Sequence, residues 1–173
     1  HWHRGELDES RHNFIFQGVR ASIEELGERW QAMQAKVAAD VVRTGDLGSN
    51  SVASTDSGAI CVLCLPAHDE ADEIVGLMLT QLLGGTGCEV HAVSATALDS
   101  EMVELVERRK VDVVCISSTP PGAVMHARYL CKRLRERFPD LHLVVGLWNA
   151  QSDLNKAKER IGCGAAAQVL GTL

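Results

Sequence analysis

The segment CLPAHDEADE, residues 64–73, carries the densest set of reactive side chains in the chain. His68 follows an apolar run that stops at Pro66, and Asp69, Glu70, Asp72 and Glu73 crowd the start of the next segment. A histidine in such a turn can ligate a metal or cofactor, act as a general base, or simply occupy the turn. With Asp69 and either Ser117 or Ser118 it could form an orienter, base and nucleophile set. No GxSxG elbow accompanies those serines, however, and hydroxyl residues before a helix commonly cap it. The second cluster, SSTPPG at 117–122, could cradle a phosphate at a helix N-terminus. The preferred reading is that Ser118 or Thr119 caps the following helix, with the prolines in its first turn. The acids at 69–73 suit the positive end of a helix dipole, a stabilising role that needs no catalysis. Trp148 reads as a core or interface side chain.

These residues are positioned by a regular alternation that begins at residue 59. Strands are expected at 59–65, 89–95, 111–118, 141–147 and 166–171, with helices at 69–84, 99–109, 121–137 and 151–161. Asp99 is the expected N-cap of the second helix, while Gly84, Gly85 and Pro139 mark helix ends. Apolar strands alternating with crossover helices predict an α/β domain with a five-stranded, parallel, doubly wound (flavodoxin-like) sheet. Ligands in such folds bind at the carboxyl ends of the strands, here the loops 66–69, 94–97, 117–122 and 146–149. The candidate pocket is therefore His68, Asp69, Ser117, Ser118, Thr119 and Gly146.

Residues 1–43 form a helical arm, with Asp8 as a possible cap. Val19, Ile23, Leu26, Trp30, Met33, Val37 and Val41 recur at steps of four and three, a narrow apolar seam. It either docks on the chain's own domain or pairs with a second copy in a homo-oligomer. Residues 44–58, TGDLGSNSVASTDSG, read as a flexible linker, and 59–173 as the α/β domain. A helix usually follows the fifth strand of this fold, and the seam could cover the face it leaves open.

Composition removes several function classes. A net charge of −6, with no Lys/Arg cluster beyond RRK and the helical CKRLRER, argues against a nucleic-acid surface. Six cysteines, mostly inside apolar runs, read as buried free thiols in a reducing compartment. Cys61 and Cys64 have CxxC spacing but point to opposite faces of a strand, so a redox motif is not expected. No apolar run reaches the ~18 residues of a membrane span. The chain opens without Met and without a signal peptide, and a piece of a longer protein is expected.

From residue 59 to 171 the order of elements resembles the cobalamin-binding domain family, whose pattern is Asp-x-His-x-x-Gly, Ser-x-Leu and Gly-Gly after the first, third and fourth strands. His68 falls at the cobalt-ligand position, Ser117 at the Ser and Gly146 at the first Gly. Pro66 and Ala71 replace the Asp and Gly of the first motif, Thr119 the Leu of the second, and Leu147 the second Gly of the Gly-Gly pair. A response-regulator receiver shares the architecture, but Ser117 and Gly171 stand where it needs an acid and a Lys. HRGELDESRHNFIFQ, followed by a linker and VLCLPAHDEADEIVGLMLTQLL, is similar to the cytoplasmic C-terminal region of autoinducer-exporter-like bacterial permeases. That resemblance implies a cytoplasmic, non-enzymatic accessory or sensory domain attached to a transmembrane part of the same polypeptide, with a degenerate pocket and no cofactor. The alternative it implies is a cobalamin-binding module in which His68 is the metal ligand.

Overall fold

The computed structural model describes residues 8–44, 59–149, 153–164 and 167–171, with the backbone alone for 38–44. Two compact units divide the chain, one of them Glu9–Gly58 and the other built on Ala59–Leu173. The expected linker lies outside the described residues apart from Thr44.

In the first unit, helix α1 runs from Glu9 to Thr44. Leu26, Trp30, Met33 and Val37, all from the expected seam, remain exposed. Polar residues elsewhere on the helix include an i,i+4 pair, Glu25 with Arg29, at 3.4 Å.

The second unit is a five-stranded, all-parallel sheet with helices on both sides. Its elements are β1 (Cys61–Pro66), α2 (Glu70–Leu83), β2 (Glu89–Ala92), α3 (Asp99–Arg109), β3 (Val113–Ser118), α4 (Ala123–Arg137), β4 (His142–Leu147), α5 (Leu154–Ile161) and β5 (Ala167–Leu170). The strand order is β2-β1-β3-β4-β5, so the winding reverses between β1 and β3. Alternation along the strands sends Leu63, Leu65, Val114, Ile116, Leu143, Val145 and Leu147 into one core with α3, α4 and α5. Burying side chains of this size stabilises the fold by roughly 1.5 to 3 kcal/mol each. The opposite face carries Val62, Cys64, Cys115 and Val144, packed with Val75 and Leu79 of α2. Gly76 lets α2 approach closely: a Cβ there would stand 3.3 Å from that of Cys64.

Three local expectations are corrected. Helix α4 starts at Ala123 behind Gly122, whose φ is +78°, and neither Ser118 nor Thr119 caps it. Successive prolines bias the residues before them away from helical geometry, so the helix begins only after Pro121. Helix α3 is preceded by Leu98 as N-cap, whose N–H donates to Glu101 at 2.7 Å. Asp99 instead pairs with Arg133 of α4 at 3.2 Å. The third correction concerns sulfur. Cys131 and Cys163 form a disulfide tying α4 to the segment after α5, with Cα atoms 5.9 Å apart. A separation of 32 residues, closed only by tertiary packing, hid that pairing from the sequence.

Candidate functional site

The crevice between the carboxyl ends of β1 and β3 is where this topology normally admits a ligand. Here the acidic start of α2 laces it shut. Asp69, with extended backbone, caps α2 by accepting the N–H groups of Ala71 and Asp72 at 3.0 and 3.3 Å. One turn further, Asp72 is buried, with 1% of its surface exposed. Its Oδ2 accepts the N–H of His68 at 2.9 Å. Its Oδ1 accepts both the N–H and the hydroxyl of Thr119, at 2.6 and 2.7 Å. A single carboxylate thus joins the loops after β1 and β3. Glu73 does the same for the loop after β2, accepting from Ala95 N at 2.8 Å and Ser94 Oγ at 3.2 Å.

Burial pushes the Asp72 carboxyl above the usual carboxylate range; the hydroxyl and N–H of Thr119 pull the other way, and the Asp69 charge adds to the rise. The hydrogen bonds satisfy the group without fully offsetting its loss of water. Both oxygens of Asp72 are engaged by His68 and Thr119, so its carboxylate holds structure.

His68 is exposed, and its ring lies flat on that of His126 from α4, with centroids 4.0 Å apart and planes 6° from parallel. In-plane nitrogen lone pairs on two such rings run parallel and do not converge on one metal position. Among the described residues, no group of three or more His, Cys, Asp or Glu side chains could hold a metal ion.

Ser117 and Ser118 are both fully buried and face opposite sides of the sheet. Ser118 Oγ donates to the Ala123 carbonyl at 3.0 Å, beneath the start of α4. Ser117 Oγ accepts the indole N–H of Trp148 at 2.8 Å. Neither hydroxyl is offered to His68, so the serine, histidine and aspartate set is not assembled. Trp148 follows β4 and donates its own N–H to the Ser118 carbonyl at 3.1 Å. Asn149, at φ +55°, takes the left-handed turn that Asn tolerates. The indole then lies against Gly146, where a Cβ would overlap the ring. The candidate residues thus gather at one end of the sheet, but Ser117 and Gly146 meet Trp148 on the α2 face, while Ser118 points to the other face.

A group placed over Gly146 would meet the Trp148 indole, whereas stacking on His126 covers a face of the exposed His68 ring and not its in-plane lone pairs. Reasoning from sequence missed Asp72, His126 and Glu73 as partners. Asp72 had a readable signal: it stands three residues after the N-cap Asp69, the position from which an acid reaches back to the chain entering a helix.

Cys64 and Cys115 stand in register on β1 and β3, both buried. The Cys64 thiol is pushed up first by its hydrogen bond to Cys115 and then by burial.

No protein-family model matches the chain, and no curated relative matches it.

Proposed function

We propose that this α/β unit is a non-enzymatic accessory or sensory domain, with a degenerate switch-point pocket and a self-associating N-terminal helix. The observation that carries the reading is the closure of the β1/β3 crevice by its own groups. Asp72 binds both loops, His68 stacks on His126, and Trp148 fills the space over Gly146 while holding Ser117. Each reactive group at the strand ends already has a partner, which leaves no nucleophile and base in register. The resemblance supplies the wider setting: the cytoplasmic face of a bacterial permease, with the transmembrane part in the same polypeptide. No helix among the described residues is long and apolar enough to cross a membrane.

The second reading is a cobalamin module with His68 as cobalt ligand. It is favoured by one observation, the exposure of His68 at the carboxyl end of β1. Titration with hydroxocobalamin, followed by visible absorption, separates the two. The accessory reading expects no saturable spectral change at micromolar ligand. A saturable change abolished in His68→Ala would replace it with the second.

A further inference from the structure

We propose that the groove between α4 and α5 is a binding site for the phosphate or diphosphate group of a small molecule. The groove encloses about 390 Å³ and is lined by Arg128, Lys132, Arg135, Glu136, Ile161 and Gly162. This falls within the ~300 to 1,000 Å³ common for small-ligand sites. The proposal stands apart from the reading of the β1/β3 crevice, since the two share no residue.

Charge is the first argument. Helix α4 carries five cations, Arg128, Lys132, Arg133, Arg135 and Arg137, against the single acid Glu136, in a chain whose net charge is −6. Two of them are accounted for: Arg133 pairs with Asp99 at 3.2 Å and Arg137 with Glu107 at 3.1 Å. Of the cations that line the groove, Arg135 is bonded to backbone carbonyls, and Arg128 and Lys132 are left over. Arg128 has no hydrogen bond or ion pair among the described residues, and Lys132 reaches only Glu136, at 3.9 Å with both side chains mostly exposed.

Helix dipoles explain some basic residues but not these. Arg135 and Arg137 lie in the last turn of α4, where cations are favoured. Arg128 lies in the first half of α4, where the dipole gives a cation no advantage. The groove also adjoins the C-terminal end of α5, an unfavourable place for an anion, but Lys158 and Arg160 in the last turn of that helix counter it.

Arg135 adds a second line of support. Its Nε donates to the Cys163 carbonyl at 3.0 Å, and its Nη1 to Pro139 and Leu141 at 2.6 and 2.7 Å. Its Nη2 is buried and has no acceptor among the described residues. The three bonds fix the guanidinium as a rigid, positively charged wall of the groove. The buried Ile161 side chain gives the groove an apolar floor, and Gly162 adds no side chain to fill it. A phosphorylated molecule with a small apolar part matches both features. Glu136 opposes the anion, and binding would release Lys132 from it.

The test is an NMR titration of the ¹⁵N-labelled chain with inorganic pyrophosphate at constant ionic strength. The expected result is saturable shifts at the amides of Arg128, Lys132 and Gly162, with a Kd of about 1 mM or tighter. Arg128→Gln combined with Lys132→Gln should weaken binding at least ~10-fold while leaving the melting temperature unchanged, because both side chains are exposed. Arg133→Gln should leave binding within about twofold of the parent, since that residue is committed to Asp99. Shifts that stay linear, lie elsewhere, or persist in the double variant would overturn the assignment. So would tighter binding of an oligoglutamate peptide at the same amides, which would make the groove a protein-docking surface.

Discussion

Thr119 delivers its backbone N–H and its hydroxyl to the same oxygen of Asp72, at 2.6 and 2.7 Å, while the other oxygen takes the N–H of His68. Two loops on opposite sides of the winding reversal are therefore held by one side chain. Thr119→Val keeps the shape and the N–H but removes the hydroxyl from a buried carboxylate. A hydrogen bond to a charged group is worth about 1.5 to 3 kcal/mol, and a loss of that order is expected in urea unfolding. No measurable loss would mean that the carboxylate is not closing the crevice.

The same carboxylate gives a pH dependence opposite to that of a typical ion-paired aspartate. Its folded pKa is raised from 3.8 by burial, so the folded chain holds the proton over a range where the unfolded chain has released it. Its contribution is greatest below the unfolded value and is lost as pH rises through the folded one. Asp72→Asn removes this titration. The difference in stability between parent and variant should change across acidic pH, with the parent gaining as pH falls, and should be flat well above the folded pKa. Chemical denaturation at several pH values measures it.

Gly146 and Trp148 form the second closure. Gly146→Ala forces the indole off the strand and breaks its bond to Ser117 Oγ. Loss of that bond and part of the indole packing should cost about 1 to 3 kcal/mol, with Trp148 emission shifted to the red. Trp148→Ala opens the same space without a clash. Hydroxocobalamin binding in Trp148→Ala but not in the parent would identify the indole as what excludes the corrin.

The disulfide predicts a thiol count. Denatured without reductant, the chain should expose four thiols, those of Cys61, Cys64, Cys88 and Cys115, and six after reduction. Constraint of the unfolded chain by a cross-link spanning 32 residues suggests that reduction lowers stability by roughly 3 to 4 kcal/mol. A lasting disulfide sits uneasily with a reducing cytoplasm. Acid-quenched cells should therefore yield a mixture of oxidised and reduced chains if the protein faces that compartment, and oxidised chains only if it does not.

Much of the fold was legible because its signals are local. Strands such as VVCISS and HLVVGL are short apolar runs between helices with 3.6-residue periodicity, and every expected element has a counterpart within a few residues. The candidate site was legible as a place rather than as a set of contacts. Fold rules put His68, Ser117 and Gly146 at the strand ends, but the partners that define their roles come from elsewhere in the chain. His126 lies in α4 while His68 follows β1, and the Asp72–Thr119 bond spans 47 residues. Cys131–Cys163 failed for the same reason. Trp148 was close enough in sequence to suspect, yet its direction depends on the turn at Asn149, which no periodicity encodes.

Helix α1 gives the last prediction. Leu26, Trp30, Met33 and Val37 follow one another at steps of four, three and four, and all are exposed. Such spacing places them along one stripe of the helix. A 36-residue helix is about 54 Å long, and water gives little support to an apolar stripe of that kind left uncovered. Pairing with the same stripe of a second copy would bury it by knobs-into-holes contacts. Leu26→Asp with Trp30→Asp places two charges in that contact. The parent should scatter light as a dimer and the variant as a monomer, with lower helicity at equal concentration. A parent that is monomeric at all concentrations, or a variant of unchanged mass, would remove the self-association role while leaving the α/β unit as described.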